Sequence, residues 1–303
     1  MRTLFLTAVL WVFAYSASAC DACGCSIGGN YFGILPQFNR HFVGLRWSEQ
    51  TFRSAHNHSN AQNGQFNTHE HFRTMDVLAR FYPLRRLQMM VLAPYHDFSR
   101  TEDNLLSRTQ GIGDVSVLGN FILINTGDSL GRSTQHTLTL GGGVKIPTGQ
   151  YRLRTPEGRL LHANLQPGSG STDFMISAAY TLRSGAWGIA TDVLGRINTA
   201  NKKDYRFGNR VSGSAKAFYW KKVRKCSFLP NIGLFADHSA PNFDQGEQAE
   251  STGGSMVLST FGLDVYIGKI SAGFTFQQPV YQHLGEGAIQ ANSRWMATLN
   301  YIF

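Results

Sequence analysis

The last eleven residues, Ser293 to Phe303, constrain the fold more than any other part of the chain. Their apolar side chains fall on one face of a strand: Trp295, Ala297, Leu299, Tyr301 and Phe303. An apolar stripe at period two predicts a strand with one apolar face. At the edge of a soluble sheet, such a strand would expose a ladder prone to aggregation. The pattern is typical of a transmembrane β-barrel, in which every second residue faces lipid.

The ending also predicts partners. A terminal Phe303 with Tyr301 and Leu299 two and four residues before it resembles the signal by which the bacterial barrel-assembly machinery recognises its clients. We therefore expect that machinery, outer membrane lipid and lipopolysaccharide as partners. The net charge of +9 is scattered along the chain. Scattered charge fits basic loops near an anionic surface and disfavours nucleic acid, which needs a clustered basic face.

The N-terminus has the three parts of an export signal in order. Arg2 is basic, Leu4 to Ala14 are mostly apolar, and Ala17-Ser18-Ala19 is a small-residue cleavage site. The apolar part is shorter than the roughly 20 residues of a membrane-spanning helix. The sequence therefore predicts a signal peptide at 1–19 and a mature chain that starts at Cys20.

Composition and alternation predict a single all-β domain. Charged residues are only 16% of the chain and 32 residues are glycine, which fits many short strands better than helices. Twelve segments alternate at period two: 38–50, 71–82, 87–98, 112–124, 136–146, 172–183, 187–198, 207–220, 227–238, 255–267, 270–280 and 293–303. These segments predict a closed antiparallel transmembrane barrel at 38–303, preceded by a Cys-rich periplasmic tail or plug at 20–37.

The connections between these segments alternate in length. Mostly short ones, such as 83–86 and 268–269, alternate with longer polar ones, such as 99–111, 147–171 and 281–292. Short periplasmic turns and long external loops are typical of outer-membrane barrels. A soluble β-sandwich is the alternative architecture, but its loops would not alternate in this way.

If the apolar stripes face outward, the opposite faces line a lumen with mixed charge. The predicted basic lumen residues are Arg40, Arg46, Arg80, Lys145, Arg196, Arg210, Lys216 and Arg294. The predicted acidic ones are Asp76, Asp114, Asp173, Asp192, Asp237 and Asp264. Such charges either pair structurally, because an uncompensated buried charge is costly, or line a narrow polar pore. The near balance of the two signs does not predict strong ion selectivity.

Three segments carry a family resemblance. They are GIGDVSVLGNF at 111–121, GGGVKIPTGQY at 141–151 and LQPGSGSTDF at 165–174. Together they resemble an outer-membrane barrel family labelled as putative phenol (meta-cleavage) degradation proteins. The resemblance implies transport of a small molecule, including a hydrophobic or aromatic one, and implies no catalytic residues. In physical terms, Pro147-Thr148-Gly149 ends a strand, and the glycines at 168–170 free the chain to re-enter the sheet.

The cysteines are predicted to lie at the periplasmic end. Cys20, Cys23 and Cys25 open the mature chain, and Cys226 follows the basic run 221–225. Four thiolates suit copper(I) or zinc. An oxidising compartment and an even count equally permit disulfides, and lipid on Cys20 is a third alternative.

The histidines are predicted to lie mainly at the external end. His56 and His58 begin one predicted loop, while His69 and His71 end it. Imidazole binds copper and zinc, although an ordinary polar loop would look the same. The metal hypothesis therefore combines an imidazole-rich external rim with a thiol-rich periplasmic end.

The sequence favours a channel over an enzyme. Ser–His pairs act in some outer-membrane hydrolases, and His58-Ser59 and His238-Ser239 supply these residue types. Neighbours in sequence seldom form a catalytic pair, and no nucleophile elbow is present. We expect a passive outer-membrane transporter for a small solute with no certain cofactor; the alternative is a copper- or zinc-handling barrel.

Overall fold

The computed structural model describes residues 40–55, 68–102, 105–126, 134–154, 158 and 161–303. Within them the predicted all-β fold is confirmed: twelve long strands form one closed antiparallel barrel. The predicted signal peptide at 1–19 and tail at 20–37 lie outside the described residues and stay predictions. No helix in the described part is long and apolar enough to span a membrane.

The predicted strands are all present, and most of their ends are correct to within a few residues. The barrel strands are β1 Phe42–Ser54, β2 Thr68–Leu84, β3 Leu87–Glu102, β4 Leu105–Ile112 with Val115–Asn125, β5 Thr134–Ile146, β6 Asp173–Ser184, β7 Trp187–Ile197, β8 Arg210–Tyr219 with Lys221–Val223, β9 Cys226–Ser239, β10 Gly254–Ile267, β11 Ile270–Leu284 and β12 Ile289–Ile302. The interruption of β4 falls at Gly113 and Asp114, and places Asp114 where its carboxylate meets the lumen.

The barrel closes through its first and last strands. β1 pairs with β12 from Phe42 opposite Ile302 to Ser54 opposite Ile289. β8 pairs with both β7 and β9, which joins the two halves of the wall. Each strand therefore has two hydrogen-bonded neighbours, and closure removes the exposed edges that promote aggregation.

The apolar face predicted for β12 points away from the lumen. Trp295, Leu299 and Tyr301 are 44%, 56% and 52% exposed. Outward residues elsewhere are also apolar, and Trp47 packs edge to face on Trp295 with ring centroids 5.8 Å apart. If this apolar surface faced water, it would be unusually large for a soluble protein. In a membrane barrel the same surface is the belt that lipid covers.

Two predicted loops are wrong. Most of 99–111 belongs to β3 and β4, and 281–292 belongs largely to β11 and β12, which are joined by a short turn at Gly285–Gly287. Polar residues such as Arg100 and Arg108 suggested loops. A strand needs about 9–11 residues to cross a bilayer, so longer strands extend into water and carry polar residues on both faces.

The lumen also contains apolar layers that the sequence analysis did not predict. We define the turn end as the end of the barrel that holds Phe42 and the short turns, and the loop end as the opposite one. Near the turn end the layer comprises Phe42, Leu78, Leu92, Phe218, Leu229, Tyr266 and Ile302. Near the loop end it comprises Phe52, Phe72, Phe98, Leu165, Phe235, Met256, Leu258, Leu284, Ile289 and Ala291. The barrel is therefore packed inside rather than evenly water-filled.

Candidate functional site

Ion pairs between neighbouring strands line the lumen. Arg46 of β1 stands opposite Asp76 of β2, and their charged groups are 2.7 Å apart. Arg210 of β8 lies 2.6 Å from Asp237 of β9. All four side chains are buried. Pairing therefore offsets the cost of removing these charges from water.

Lys145 of β5 forms the centre of the largest charged cluster. Its Nζ lies 2.8 Å from Asp114 and 2.7 Å from Asp173. It also donates a hydrogen bond to Ser169. Each of the three motif segments of the sequence analysis supplies a member of this cluster. Their shared structural role is thus to bring β4, β5 and β6 together around one buried lysine.

The connection at 147–172 is named here the inner loop, and its described part from 163 to 171 enters the lumen. Asn164, Leu165 and Ser171 are buried. Leu165 packs in the loop-end layer with phenylalanines such as Phe52 and Phe72. The sequence pattern predicts an ordinary external loop here. The loop instead enters because Leu165 can leave water only by joining the apolar side chains of the wall.

Asp114 holds the inner loop at two points far apart in the chain. Its Oδ1 accepts a hydrogen bond from the backbone N–H of Gly149 at 3.0 Å. Its Oδ2 accepts from the backbone N–H of Ser169 at 2.9 Å and from the Ser169 hydroxyl at 2.6 Å. A carboxylate forms stronger hydrogen bonds than a neutral acceptor, so this one side chain fixes the start and the end of the loop.

Two glycines allow the ends of the inner loop to touch. The backbone N–H of Gly168 donates to the carbonyl of Gln150 at 2.8 Å. A Cβ built on Gly168 would lie 2.5 Å from the carbonyl carbon of Gly149, and one on Gly149 would lie 2.7 Å from the Gly168 Cα. Only glycine permits such a close backbone approach. This contact explains both motif glycines, for which the sequence alone predicts only strand ending and re-entry.

Two other connections cover the loop end. Residues 198–209 and 240–253, named here the cap, include a small sheet of Tyr205–Arg206, Phe243–Asp244 and Glu247–Gln248. The cap meets the inner loop where the Asn201 side chain donates to the Ser169 carbonyl at 3.0 Å. Thr199 adds bonds to the Thr172 carbonyl and to Asp173, and most of the remaining bonds are internal to the cap. Asn198 and Phe207 are the cap residues that reach the inner cavity.

Two cavities lie on either side of one short segment. The inner cavity, of about 110 Å³, is lined by wall residues that include Arg46, Asp76, Lys145 and Arg196. The vestibule, of about 380 Å³, lies between the inner loop and the cap. Both cavities are lined by Gln166, Gly168, Ser169 and Phe207. The end of the inner loop and Phe207 are therefore what separates the outer space from the lumen.

The structure places the predicted lumen residues as follows. Those that are buried are Arg46, Asp76, Arg80, Asp114, Lys145, Asp173, Arg210, Lys216, Asp237 and Arg294. Those that are half-buried on inward positions are Asp192, Arg196 and Asp264. Arg40 differs, because it precedes β1 and is exposed. The ion pairs and the loop cluster bring together seven of the thirteen buried or half-buried residues: Arg46, Asp76, Asp114, Lys145, Asp173, Arg210 and Asp237.

The predicted metal ligands are only partly within the described residues. Cys20, Cys23, Cys25, His56 and His58 lie outside them. Cys226 begins β9, is half-buried and has no disulfide partner within the described ranges. His69 and His71 lie on β2, and His71 is 3.9 Å from Glu49. Among the described residues, no three potential metal ligands cluster, and the metal site stays a prediction.

Several residues of the site were not found from the sequence. His96 lines the inner cavity and is 2.9 Å from the Thr74 hydroxyl. Ser169 and Phe207 were not singled out at all. The sequence holds one signal for His96, which is Gly113 in the first motif segment. A Cβ at position 113 would lie 2.4 Å from the His96 ring, so the glycine makes room for the histidine.

Similarity to a solved outer membrane channel supports the fold. No family model and no curated protein matches the chain. An outer membrane channel from Pseudomonas putida F1 superposes with a TM-score of 0.63 at 15% identity, covering 89% of this chain and 100% of that one. The β-domain of the Bordetella autotransporter BrkA gives 0.48 at 12% identity, with 88% and 100% covered. The translocator domain of the autotransporter NalP from Neisseria meningitidis gives 0.43 at 10%, with 88% and 89% covered.

The predicted location is confirmed. The chain lies in a bacterial outer membrane. Its closed twelve-stranded barrel and apolar outer belt match the architecture that crosses that membrane. At these identities the likeness shows the fold alone, so the narrower phenol-pathway label stays a prediction.

Proposed function

We propose that this barrel is a passive channel for a small organic solute and that the inner loop closes it. The observation that carries the proposal is the pair of cavities that share the end of the inner loop and Phe207 as a common wall. A purely structural barrel has no need of a loop that enters the lumen. A segment tied down at Asp114 rather than built into the wall is suited to move, as gating loops do.

The chemistry of the vestibule supports an apolar or aromatic solute. Tyr151, Tyr205 and Phe207 line it beside Arg152 and Lys203. Apolar and aromatic walls with a few polar groups are typical of sites for small organic molecules. The loop-end layer continues the apolar character inward. This lining suits a solute with an apolar part and a polar or anionic end.

Planar-bilayer conductance tests the proposal. Asp114→Asn leaves a single acceptor oxygen, so either the bond from Gly149 or the bonds from Ser169 and Lys145 are lost. Losing them should weaken loop docking by about 3 kcal/mol, which favours the released loop roughly a hundredfold. Wild-type protein should therefore show small, infrequent openings, and the variant large, frequent ones.

Asp192→Asn is the matched control. Asp192 is an inward carboxylate of β7 that accepts from Ser214, a wall residue, so its change should leave gating as in wild type. Equal conductance for wild type and both variants would contradict a channel closed by the inner loop.

The alternative of a copper- or zinc-handling barrel stays a prediction. A titration of refolded protein with each metal tests it, with Cys20, Cys23, Cys25 and Cys226 replaced by serine as the comparison. Unchanged affinity in the replaced protein would reject the periplasmic thiol site.

A further inference from the structure

The inner cavity is lined by three cations, Arg46, Lys145 and Arg196 of β7. Arg46 and Lys145 form ion pairs, whereas Arg196 forms none with a described residue. Its side chain lines the cavity. Its Nε is buried and has no hydrogen-bond partner among the described residues. No carboxylate in the described part of the chain lies within 4.0 Å of its guanidinium. Buried donors are almost always satisfied, so this one suggests a partner that binds from outside the chain.

The neighbouring carboxylates cannot supply that partner because they are already engaged. Asp173 accepts from Ser171 and Thr199 at Oδ1 and contacts Lys145 at Oδ2. Asp114 is occupied by the inner loop and Lys145. The lysine and its two carboxylates keep one net negative charge, which favours a nearby arginine electrostatically. That long-range attraction leaves the N–H groups of Arg196 unused.

The other walls of the inner cavity restrict what a partner can be. Leu92, Pro94 and Phe98 form an apolar side. The volume of about 110 Å³ is below the roughly 150 Å³ of a cavity known to hold benzene. A few aliphatic carbons therefore fit beside the arginine, whereas an aromatic ring fits only if the cavity expands.

The charges of the cavity restrict the partner further. Asp76, Asp114 and Asp173 line the same space, and like charges at short range repel strongly inside a protein. A dianion would meet three carboxylates but only one arginine with unused donors. A guanidinium matches the two oxygens of a carboxylate in a planar, two-pronged contact.

We infer that Arg196 binds the carboxylate of a short-chain monocarboxylic acid in the inner cavity. The inference deepens the proposed function and rests on it for the route by which the acid arrives. The vestibule would admit the acid, and Arg196 would hold its charged end once the inner loop has opened. The acid's short chain would then contact Leu92, Pro94 and Phe98.

Ligand-observed NMR titration of the full chain in detergent tests the inference. The probes are sodium propionate, sodium benzoate and sodium sulfate, and the proteins are wild type, Arg196→Gln, Arg196→Lys and Arg40→Gln. Arg40 is an exposed cation outside the cavity and serves as the matched control. Retention of the fold is checked by the mobility shift between heated and unheated samples in a gel.

We expect saturable propionate binding to wild type and Arg40→Gln, with benzoate and sulfate weaker. Arg196→Gln should raise the Kd for propionate roughly tenfold, and Arg196→Lys should fall between because it keeps the charge but not the planar fork. Unchanged propionate affinity in a folded Arg196 variant would overturn the inference. Sulfate or benzoate binding as tightly as propionate would overturn the assignment of the ligand class.

The two proposals can fail separately. Absent or Arg196-independent propionate binding, together with large openings in Asp114→Asn, would reject the carboxylate site and keep the channel. Arg196-dependent binding without conductance in any variant would keep the site and reject the channel.

Discussion

The inner loop and the cap are both long polar connections at the loop end, yet they do different things. The inner loop is held from below, by Asp114 of the wall and by the apolar layer around Leu165. The cap is held mainly to itself: Asn242 donates to Tyr205 at 3.0 Å and accepts from the backbone of Gly208 at 2.9 Å. A loop enters a barrel when the lumen offers both a charged anchor and an apolar layer.

Deleting the inner loop and the cap in separate variants should give the largest difference in conductance. Residues 152–165 can be replaced by two glycines, because the retained backbones already meet: the N–H of Gly168 donates to the carbonyl of Gln150 at 2.8 Å. This deletion should give a channel that stays open, since it removes Leu165 from the lumen. Bilayer conductance is the measurement.

Replacing cap residues 243–248 in the same way is the control. These residues lie outside the lumen, in and around the small sheet, so conductance should stay close to wild type. If the cap deletion opened the channel and the inner-loop deletion did not, the roles assigned to the two regions would be reversed.

A smaller effect is expected for Leu165→Ala. Leu165 is 3% exposed, whereas Leu161 is only partly buried against the same layer. Emptying the Leu165 site should weaken docking of the loop by about 2–4 kcal/mol, and Leu161→Ala should cost clearly less. The rate of tryptic cleavage after Arg154 reports loop release. Equal rates for the two variants would show that burial of Leu165 does not hold the loop.

Gly168→Ala should have an intermediate effect on gating. The added Cβ would meet Gly149 backbone at 2.5 Å, whereas one on Gly142 would meet its nearest atom at an ordinary 3.5 Å. The clash should cost about 1–3 kcal/mol and increase opening frequency. Gly142→Ala should gate like wild type. Equal opening frequencies in the two alanine variants would show that the close contact between Gly168 and Gly149 does not hold the loop.

The smallest effect is expected in the cap. The Arg206 guanidinium lies 4.4 Å from the centre of the Phe243 ring, a contact worth about 0.5–1 kcal/mol at an exposed site. Arg206→Ala should loosen the cap, seen as faster amide hydrogen exchange at 243–248, and leave conductance unchanged. A change in gating would mean that the cap and the inner loop move together.

The same contrast shows what the sequence can predict. Strand positions and the outward face of β12 follow from period-two alternation, because lipid imposes one rule on every outward residue. The inward face obeys no such rule: on β2, Phe72 meets Phe98 of β3 and Asp76 meets Arg46 of β1, so each inward residue depends on the neighbouring strand. The polar ends of β3 and β11 were mistaken for loops for a related reason, since they extend beyond the lipid.

The site was harder to predict because it depends on contacts between distant residues. The hydrogen bond between Asp114 and Ser169 joins residues 55 positions apart in the chain. A local sequence pattern cannot predict such a contact. The motif segments do contain the members of this cluster, Asp114, Lys145, Ser169 and Asp173. Only the folded structure shows that these residues anchor a loop inside the lumen.

Accessibility of residue 165 in intact cells tests the central claim most directly. In a background with the four native cysteines changed to serine, Leu165→Cys and Lys203→Cys would be exposed to a maleimide that cannot cross the outer membrane. Lys203 is exposed in the cap and Leu165 is buried in the lumen. The account predicts that Cys at 165 reacts at least roughly tenfold more slowly, because it must wait for the loop to open. Equal rates at the two positions would contradict an inner loop that closes the barrel.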